Sequence, residues 1–306
     1  MRYGVVIVTF NRLSLLKECI SCILNQTRKF DEVIIVDNCS TDGTKEYLED
    51  YISNNENGVI KFYSLEKNIG GSGGFNFALS QVSNDIDWVL IIDDDAMLEN
   101  NYIEEIEKHI LKNYYYAYSG AVLTDDKIDT THRRLITNNI LLRQEDVRIE
   151  EYEKDTFEYH LSTFCGLLIK RELINTIGLP NKDYFIWYDD TEYSLRINQF
   201  SRILNVNNAK LNHKTVKNSQ TISWKSYYGV RNSIHMGKLY SSNKIIFSIL
   251  TYIYCMLVII KNIMRVLLNK RREYGLVCIK IYTDALHDSF KGKLGINENY
   301  LPGKKI

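Results

Sequence analysis

Proline is nearly missing from this chain: Pro180 and Pro302 are the only two in 306 residues, so no proline-rich linker divides it. Internal repeats and low-complexity stretches are absent as well. Formal charge vanishes in sum, with 38 Lys and Arg against 38 Asp and Glu. The longest apolar stretch free of formal charge, residues 245–260, has sixteen residues, short of the roughly 20 that a bilayer-spanning helix wants. A composition of 45% hydrophobic and 25% charged residues excludes a disordered chain, a collagen-like repeat and a multi-span membrane protein. The opening apolar run, residues 5–8, is far too short for a secretion signal, and the six cysteines are scattered, so a reducing cytoplasm without disulfides is expected. Cys19 and Cys22 have the spacing of half a zinc site. No second pair follows, and both fall on an amphipathic helical pattern, so they read as core or boundary residues.

The zero net charge hides a split. Residues 238–306 hold twelve Lys and Arg against four Asp and Glu, a net of +8, which leaves −8 for residues 1–237. No zinc-finger, RNP or helix-turn-helix signature accompanies the basic segment, so nucleic acid is not the expected partner. The segment instead flanks the apolar run 245–260 with Lys261, Arg265, Lys270, Arg271 and Arg272. That pairing fits a helix lying in the headgroup region on anionic lipid. The alternative is a buried helix packed on the sheet or on another subunit of a homo-oligomer.

What is present in the first 125 residues is an alternation of periods. Residues 3–9 form a continuous apolar run of strand length, and Leu13, Leu16, Ile20, Ile23 and Leu24 then recur at helical spacing. Residues 32–37 give a second strand, 41–51 a helix after the turn Asn38-Cys39-Ser40, and 60–65 and 88–92 two more strands. Between the last two lie a glycine-rich loop and a short helix near 75–82. Strands apolar on both faces indicate a parallel sheet covered by helices. Ligands of such sheets sit beyond the strands' carboxyl ends, where Thr9, Asp37, Asn68 and Asp93 all fall. Residues 125–159 lose periodicity and gain charge, which suggests an excursion over the sheet rather than core. A strand at 163–170 and a helix at 171–177, stopped by Gly178 and Pro180, follow. Then comes the aromatic and acidic cluster Tyr184-Phe185-Ile186-Trp187-Tyr188-Asp189-Asp190-Thr191-Glu192, running into a helix through Leu195 and Ile197.

Three features carry chemistry. Asp93-Asp94-Asp95 places three carboxylates at a strand end, where mutual repulsion is relieved by a hard cation such as Mg²⁺ or Mn²⁺ bridging to phosphate; a merely solvated acidic loop is the plainer reading. Asn68-Ile69-Gly70-Gly71-Ser72-Gly73-Gly74-Phe75 opens a helix whose N–H groups could cradle an anion, though it is neither the dinucleotide fingerprint nor a P-loop. Asp189 and Asp190 lie among aromatics, where partial burial raises a carboxylate pKa and makes a general base; they could equally serve only as helix N-terminal charges. His213 gains a functional meaning only if it meets the aspartates in space.

Taken together these residues resemble the family 2 glycosyltransferases with the GT-A fold. The stretches Val6-Ile7-Val8-Thr9-Phe10-Asn11-Arg12 and Val36-Asp37-Asn38-Cys39-Ser40-Thr41-Asp42-Gly43-Thr44, then the triple aspartate, look like that family's nucleotide-sugar site in order and spacing. The glycine segment ending in Phe75 and the Phe185 to Glu192 cluster are most similar to bacterial galactofuranosyltransferases, with rhamnosyltransferases next. The resemblance implies an α/β GT-A (Rossmann-like) domain over residues 1–240, its nucleotide-sugar half about 1–125 and its acceptor half about 160–240. Residues 241–306 would then be an apolar and basic helical extension that associates with membrane.

By the same resemblance Thr9, Asn11, Arg12, Asp37, Asn68, Gly70, Gly71, Asp93 and Asp94 would hold the nucleotide-sugar. Asp95 and His213, with Asp93 in the shell, would ligate Mn²⁺ or Mg²⁺ on the diphosphate. Asp190 would be the catalytic base, and Trp187, Tyr188 and Asp189 would line the acceptor. The implied activity is inverting transfer of galactofuranose from UDP-galactofuranose, a UDP-sugar donor, to a lipid-linked glycan or glycolipid at the inner face of the cell membrane. One departure is Tyr188, which stands between Trp187 and the acidic pair. The competing readings are a rhamnosyltransferase using dTDP-rhamnose, a non-catalytic nucleotide-sugar-binding protein, and a nucleotidyltransferase that would release pyrophosphate.

Overall fold

The computed structural model describes residues 1–54, 58–214, 222–304 and 306. The first apolar run is buried along its whole length and becomes the central strand β1 (Tyr3–Thr9). In chain order α1 (Leu13–Leu24), β2 (Glu32–Asp37), α2 (Thr44–Ser53), β3 (Ile60–Ser64), α3 (Gly70–Ser80) and β4 (Trp88–Asp93) follow. These strands lie parallel in the order β3-β2-β1-β4, with Thr9 opposite Asp37 and Val8 opposite Asp93. One face is covered by Leu16, Cys19, Ile20 and Ile23 of α1, the other by Phe75, Ala78 and Leu79 of α3. Cys19 is therefore core and Cys22 packs at its boundary, as expected.

Two helices begin elsewhere than their periodicity suggests. The second starts at Thr44, not 41, because Asp42 Oδ1 accepts from Thr44 N and Oγ1 while its Oδ2 accepts from Leu13 N, so residues 41–43 form a capping turn. The third starts at Gly70, so the glycine-rich segment is helix rather than loop. Each internal glycine costs a helix about 1 kcal/mol against alanine, but here it permits close approach. A Cβ on Gly70, where φ is +78°, would lie 2.0 Å from the carbonyl oxygen of Phe185, and one on Gly74 would lie 2.6 Å from Val8.

The chain continues through β5 (Ala96–Leu98), α4 (Tyr102–Ile110), β6 (Ala117–Thr124), β7 (Lys127–Ile128), β8 (Arg133–Asn138), β9 (Arg143–Asp146), β10 (Thr156–Tyr159), β11 (Leu161–Ser162), β12 (Leu167–Lys170), α5 (Arg171–Ile177), α6 (Asp189–Ile197) and β13 (Ile203–His213). Beyond β4 the sheet becomes mixed. Strand β12 runs antiparallel between β4 and β6, and β13 runs parallel to β6 and antiparallel to β10 and β5. Strands β8, β9 and β11 make a separate antiparallel sheet. The segment 125–159 is thus more than an excursion: it buries Arg133 completely, its guanidinium donating to the carbonyls of Gly120 (2.8 Å) and Cys165 (3.0 Å) and to Asn205 Oδ1 (3.1 Å). A buried cation needs that many acceptors, so Arg133 is core although most of the segment around it is exposed or half-buried.

A helical layer completes the molecule: α7 (Lys225–Tyr240), α8 (Lys244–Leu267) and α9 (Arg272–Phe290). It has its own core of Tyr227, Tyr228, Ile281, Ala285 and Tyr300 against Phe185. Asn243 Oδ1 caps α8 by accepting from Ile246 N. The sixteen-residue apolar run extends into a 24-residue helix with a mean hydropathy of 1.9 and only 17% of its apolar window buried, long and apolar enough to cross a membrane by length and composition. Only Phe247, Cys255 and Asn262 of α8 are buried, so the helix is not a core helix of this chain.

Candidate active site

The parallel register brings the ends of β1 and β4 side by side and opens a cavity of about 240 Å³ beyond them. Thr9, Arg12, Asn68, Gly70, Gly71, Asp93 and Asp94 all line it. Asn11 and Asp37 do not. Asn11, at φ +53°, ties two loops together by accepting from Thr41 N, and Asp37 is buried, accepting from Ser40 N at 3.0 Å. Asn38 lines the cavity beside them and braces the glycine helix, donating to Gly70 O and accepting from Ile69 N.

The three aspartates are held differently. Asp94 Oδ2 accepts from Thr9 Oγ1 at 2.7 Å, and Arg12 Nη1 donates to both Asp94 Oδ1 (3.1 Å) and Asp95 Oδ2 (2.6 Å). Burial, then the charges of Asp95 and Asp94, pushes Asp93 up to about 7. Burial likewise pushes Asp94 up to about 6, against the pull of Arg12 and Thr9. Burial acts on Asp95 in the same sense, yet His213 and Arg12 outweigh it and hold its carboxyl below the usual range. His213 lies at the end of β13, which β5 joins to the aspartate turn, and its Nε2 comes within 3.3 Å of Asp95 Oδ1. His132, pushed down to about 3 by burial and then by Arg133, stays neutral and packs edge-on to His213, the ring centres 4.9 Å apart.

Asp95 and His213 fit a hard cation on one structural observation. Asp95 Oδ1 is buried with His213 Nε2 at 3.3 Å in place of a hydrogen-bond donor of normal geometry, and His213 Nδ1 is buried without a hydrogen bond. Among the described residues no group of three or more His, Cys, Asp or Glu side chains converges on one point. Two protein donors suit an ion that takes its remaining ligands from phosphate and water.

A second cavity, of about 480 Å³, adjoins the first and shares Gly71, Phe75, Asp93 and Ile186 with it. Trp187, Tyr188, Asp189 and Asp190 form its wall, so the structure brings all four together as the sequence reading grouped them. Phe185, Trp187 and Tyr188 all adopt left-handed backbone, at φ of +67°, +65° and +70°. Residues of this size avoid that region, and the conformation persists only where surroundings over-determine it. Asn232 of α7 does so here: its Nδ2 donates to the carbonyls of Tyr184 (3.0 Å), Ile186 (3.0 Å) and Trp187 (2.9 Å). Arg231 adds bonds to the carbonyls of Asp183 and Tyr184, and Ser72 N donates to that of Phe185. The strap then enters α6 at Asp189. Burial and the charge of Asp190 push Asp189 up to about 8, while Asp190 Oδ1 accepts from Thr191 N and Oγ1.

Sequence reasoning missed Arg134 in the second cavity, and Trp224 and Lys225 in the first. Arg134 sits in the segment without periodicity. Lys225 opens α7 and faces the aspartates from across the cavity; burial, then Arg12, pulls its pKa down, with Asp93 and Asp95 opposing. Only folding shows that it belongs to the site.

Comparison with known proteins agrees with this geometry. The galactofuranosyltransferase GlfT1 of Mycolicibacterium smegmatis is 22% identical over 197 residues, covering 63% of this chain and 64% of that protein. The chain thus spans less than two thirds of the length of that curated relative. A solved structure of S. aureus TarS 1-349 in complex with UDP-GlcNAc superposes with a TM-score of 0.59 at 15% identity, covering 100% of this chain and 98% of that one. A structure of GalNAc-T7 with UDP, GalNAc and Mn²⁺ gives the same TM-score at 16% identity over 81% of this chain and 54% of that one. These likenesses establish the expected GT-A fold. The family model described as "Glycosyl transferase family 2" matches residues 4–178, more than half of the chain, which therefore belongs to that family.

Proposed function

We propose that the protein is an inverting glycosyltransferase that moves galactofuranose from UDP-galactofuranose to a lipid-linked glycan. The observation that carries this reading is the junction of the two cavities at Gly71 and Asp93: one holds the aspartate turn and Arg12, the other Asp190 and Trp187. A donor and an acceptor placed in them would meet where the cavities merge. The UDP and UDP-GlcNAc carried by structural neighbours support a uridine nucleotide in the first cavity, and GlfT1 among the relatives supports the furanose.

Asp95 and His213 would hold a divalent cation, which supplies neutralisation of the charge that develops on the departing diphosphate. Arg12 and Lys225 bring further positive charge to the same side, in a partly buried site where it acts strongly. Burial, then the charge of Asp190, pushes Asp189 up to about 8, which favours its protonated form. The proton of the acceptor hydroxyl falls to Asp190, whose two hydrogen bonds both fall on Oδ1 and leave Oδ2 for the acceptor. Trp187 offers an apolar face to the sugar's C–H groups. A single displacement from the face opposite the diphosphate inverts the anomeric carbon.

The helical layer supports a membrane-surface localisation. Ile249, Ile253, Leu257 and Ile260 of α8 are all more than half exposed, and the basic residues after residue 260 adjoin them. Such a contiguous apolar surface marks an interaction site. We place it on the anionic inner face of the cell membrane, with residues 1–240 as the catalytic part and 241–306 as the membrane-associated part.

Calorimetric titration with UDP, UDP-galactofuranose and dTDP-rhamnose, each with Mn²⁺ and with chelator, tests the donor. Metal-dependent binding of the uridine compounds, abolished in Asp95→Ala, is expected. Preference for the thymidine sugar would move the assignment to rhamnosyl transfer, and binding of none would overturn the nucleotide-sugar reading.

A further inference from the structure

A third cavity, of about 370 Å³, lies between the acceptor wall and the helical layer. Trp187 and Tyr188 form one side of it and also line the acceptor cavity, so the two spaces share these residues. Val230 and Ile234 of α7 and Thr251 and Cys255 of α8 line the rest of its length. Among its described lining residues none is Asp, Glu, Lys, Arg or His. Hydroxyls supply the polarity, which is poor provision for a phosphate or a free glycan and good provision for hydrocarbon. At about 30 Å³ for each water-sized group, the space takes roughly a dozen carbon-sized groups.

The other end of this groove opens at the membrane-facing helix. Tyr254 lines it and is largely exposed, and Leu250 and Leu257, one helical turn to either side, are exposed apolar residues. The inner end is fixed rather than adaptable. The indole of Trp187 lies on the backbone of α7 at Gly229, where a Cβ would come within 2.8 Å of the ring, and Asn232 holds the Trp187 carbonyl. An occupant therefore runs from the apolar face of α8 to the wall of the acceptor cavity.

We propose that this groove takes the hydrocarbon tail of the lipid-linked acceptor next to its polar head, and so presents the acceptor sugar to Asp190. The proposal rests on the glycosyltransferase reading and specifies its acceptor. Continuity decides the occupant: a tail leaving the bilayer face along the groove ends at Trp187, where the glycan must begin. A bulk phospholipid has no group that needs the acceptor wall.

The test uses the full chain and farnesyl phosphate as probe, by equilibrium dialysis below its micelle concentration. Saturable binding is expected, weakened at least about tenfold in Ser233→Phe and in Thr251→Phe, which fill the groove from two different helices. Because the two variants enter from different helices, misfolding of one, seen by circular dichroism, leaves the other to decide. The double variant Ile249→Asn with Ile260→Asn, on the outer face of α8, is expected to bind the probe as the parent does. Absence of saturable binding, unchanged binding in the filled variants, equal loss in the outer-face variant, or equal displacement by a short-chain phosphatidylglycerol would each overturn the proposal. UDP binding by the same preparations is read separately: UDP bound without farnesyl phosphate defeats the groove alone, and farnesyl phosphate bound without UDP defeats the donor reading alone.

Discussion

Asn232→Leu is the substitution whose consequences the structure defines most closely. Three left-handed residues in the strap cost roughly 3–9 kcal/mol together at about 1–3 each. Asn232 is fully buried and its single amide serves three strap carbonyls with two N–H groups, so one bond is shared. Those bonds contribute about 1–3 kcal/mol net, and leucine of similar volume leaves the carbonyls facing a methyl group, which costs about 1–3 kcal/mol more. It also removes the acceptor of Arg231 Nε. We expect a loss of roughly 2–4 kcal/mol in urea unfolding, since these terms overlap. A strap released from its left-handed conformation displaces Trp187 and Asp190, and misplacement by about 1 Å costs catalysis on the order of a hundredfold. The acceptor kcat/KM should therefore fall far more than UDP affinity. Unfolding within about 0.5 kcal/mol of the parent, with acceptor kinetics unchanged, would refute the clamp.

Further outcomes follow from the same structure. Asp190→Asn should lower kcat by about 10²–10⁴ with UDP binding retained, measured by single-turnover transfer and calorimetry; equal turnover would remove Asp190 as the base. The double variant Ile249→Asn with Ile260→Asn should weaken sedimentation with anionic vesicles, and unaltered sedimentation would leave α8 to pack on protein instead. Glu32 is buried; despite desolvation, Lys61 and Ser83 lower its pKa from an ordinary 4.5. A lowered carboxylate pKa stabilises fully above the ordinary value and loses that stabilisation as pH falls through the folded value. Urea unfolding of Glu32→Gln should therefore depend less on pH below about 4.5 than that of the parent, and parallel pH profiles would show that Glu32 is not the group responsible.

Much of the site was legible because it depends on position along the chain. Thr9 and the aspartates lie at the ends of runs buried on both faces, and a parallel sheet must place such ends together. The aromatic and acidic strap was legible as a cluster because its members are consecutive. The glycine segment was harder. Its residues oppose helix by propensity, and the reason they form one lies in Val8 and in Phe185, 115 positions after Gly70. Arg133 and Arg134 could not be read from a stretch without periodicity, since their partners Gly120, Cys165 and Thr191 come from other elements.

The sequence by itself determined the first four strands and the helices between them, the carboxylate-rich strand end, the acidic strap and the apolar, basic character of the last segment. These rest on hydrophobic period and local chemistry, which need no knowledge of the fold. Tertiary structure alone decided that His213 meets Asp95, that Lys225 faces the aspartates, and that Asn232 holds the strap. It alone decided too that the apolar helix leaves a groove leading to Trp187. Each of these joins residues tens to more than a hundred positions apart, and only the pairing of β13 with β5 and the packing of α7 and α8 bring them together.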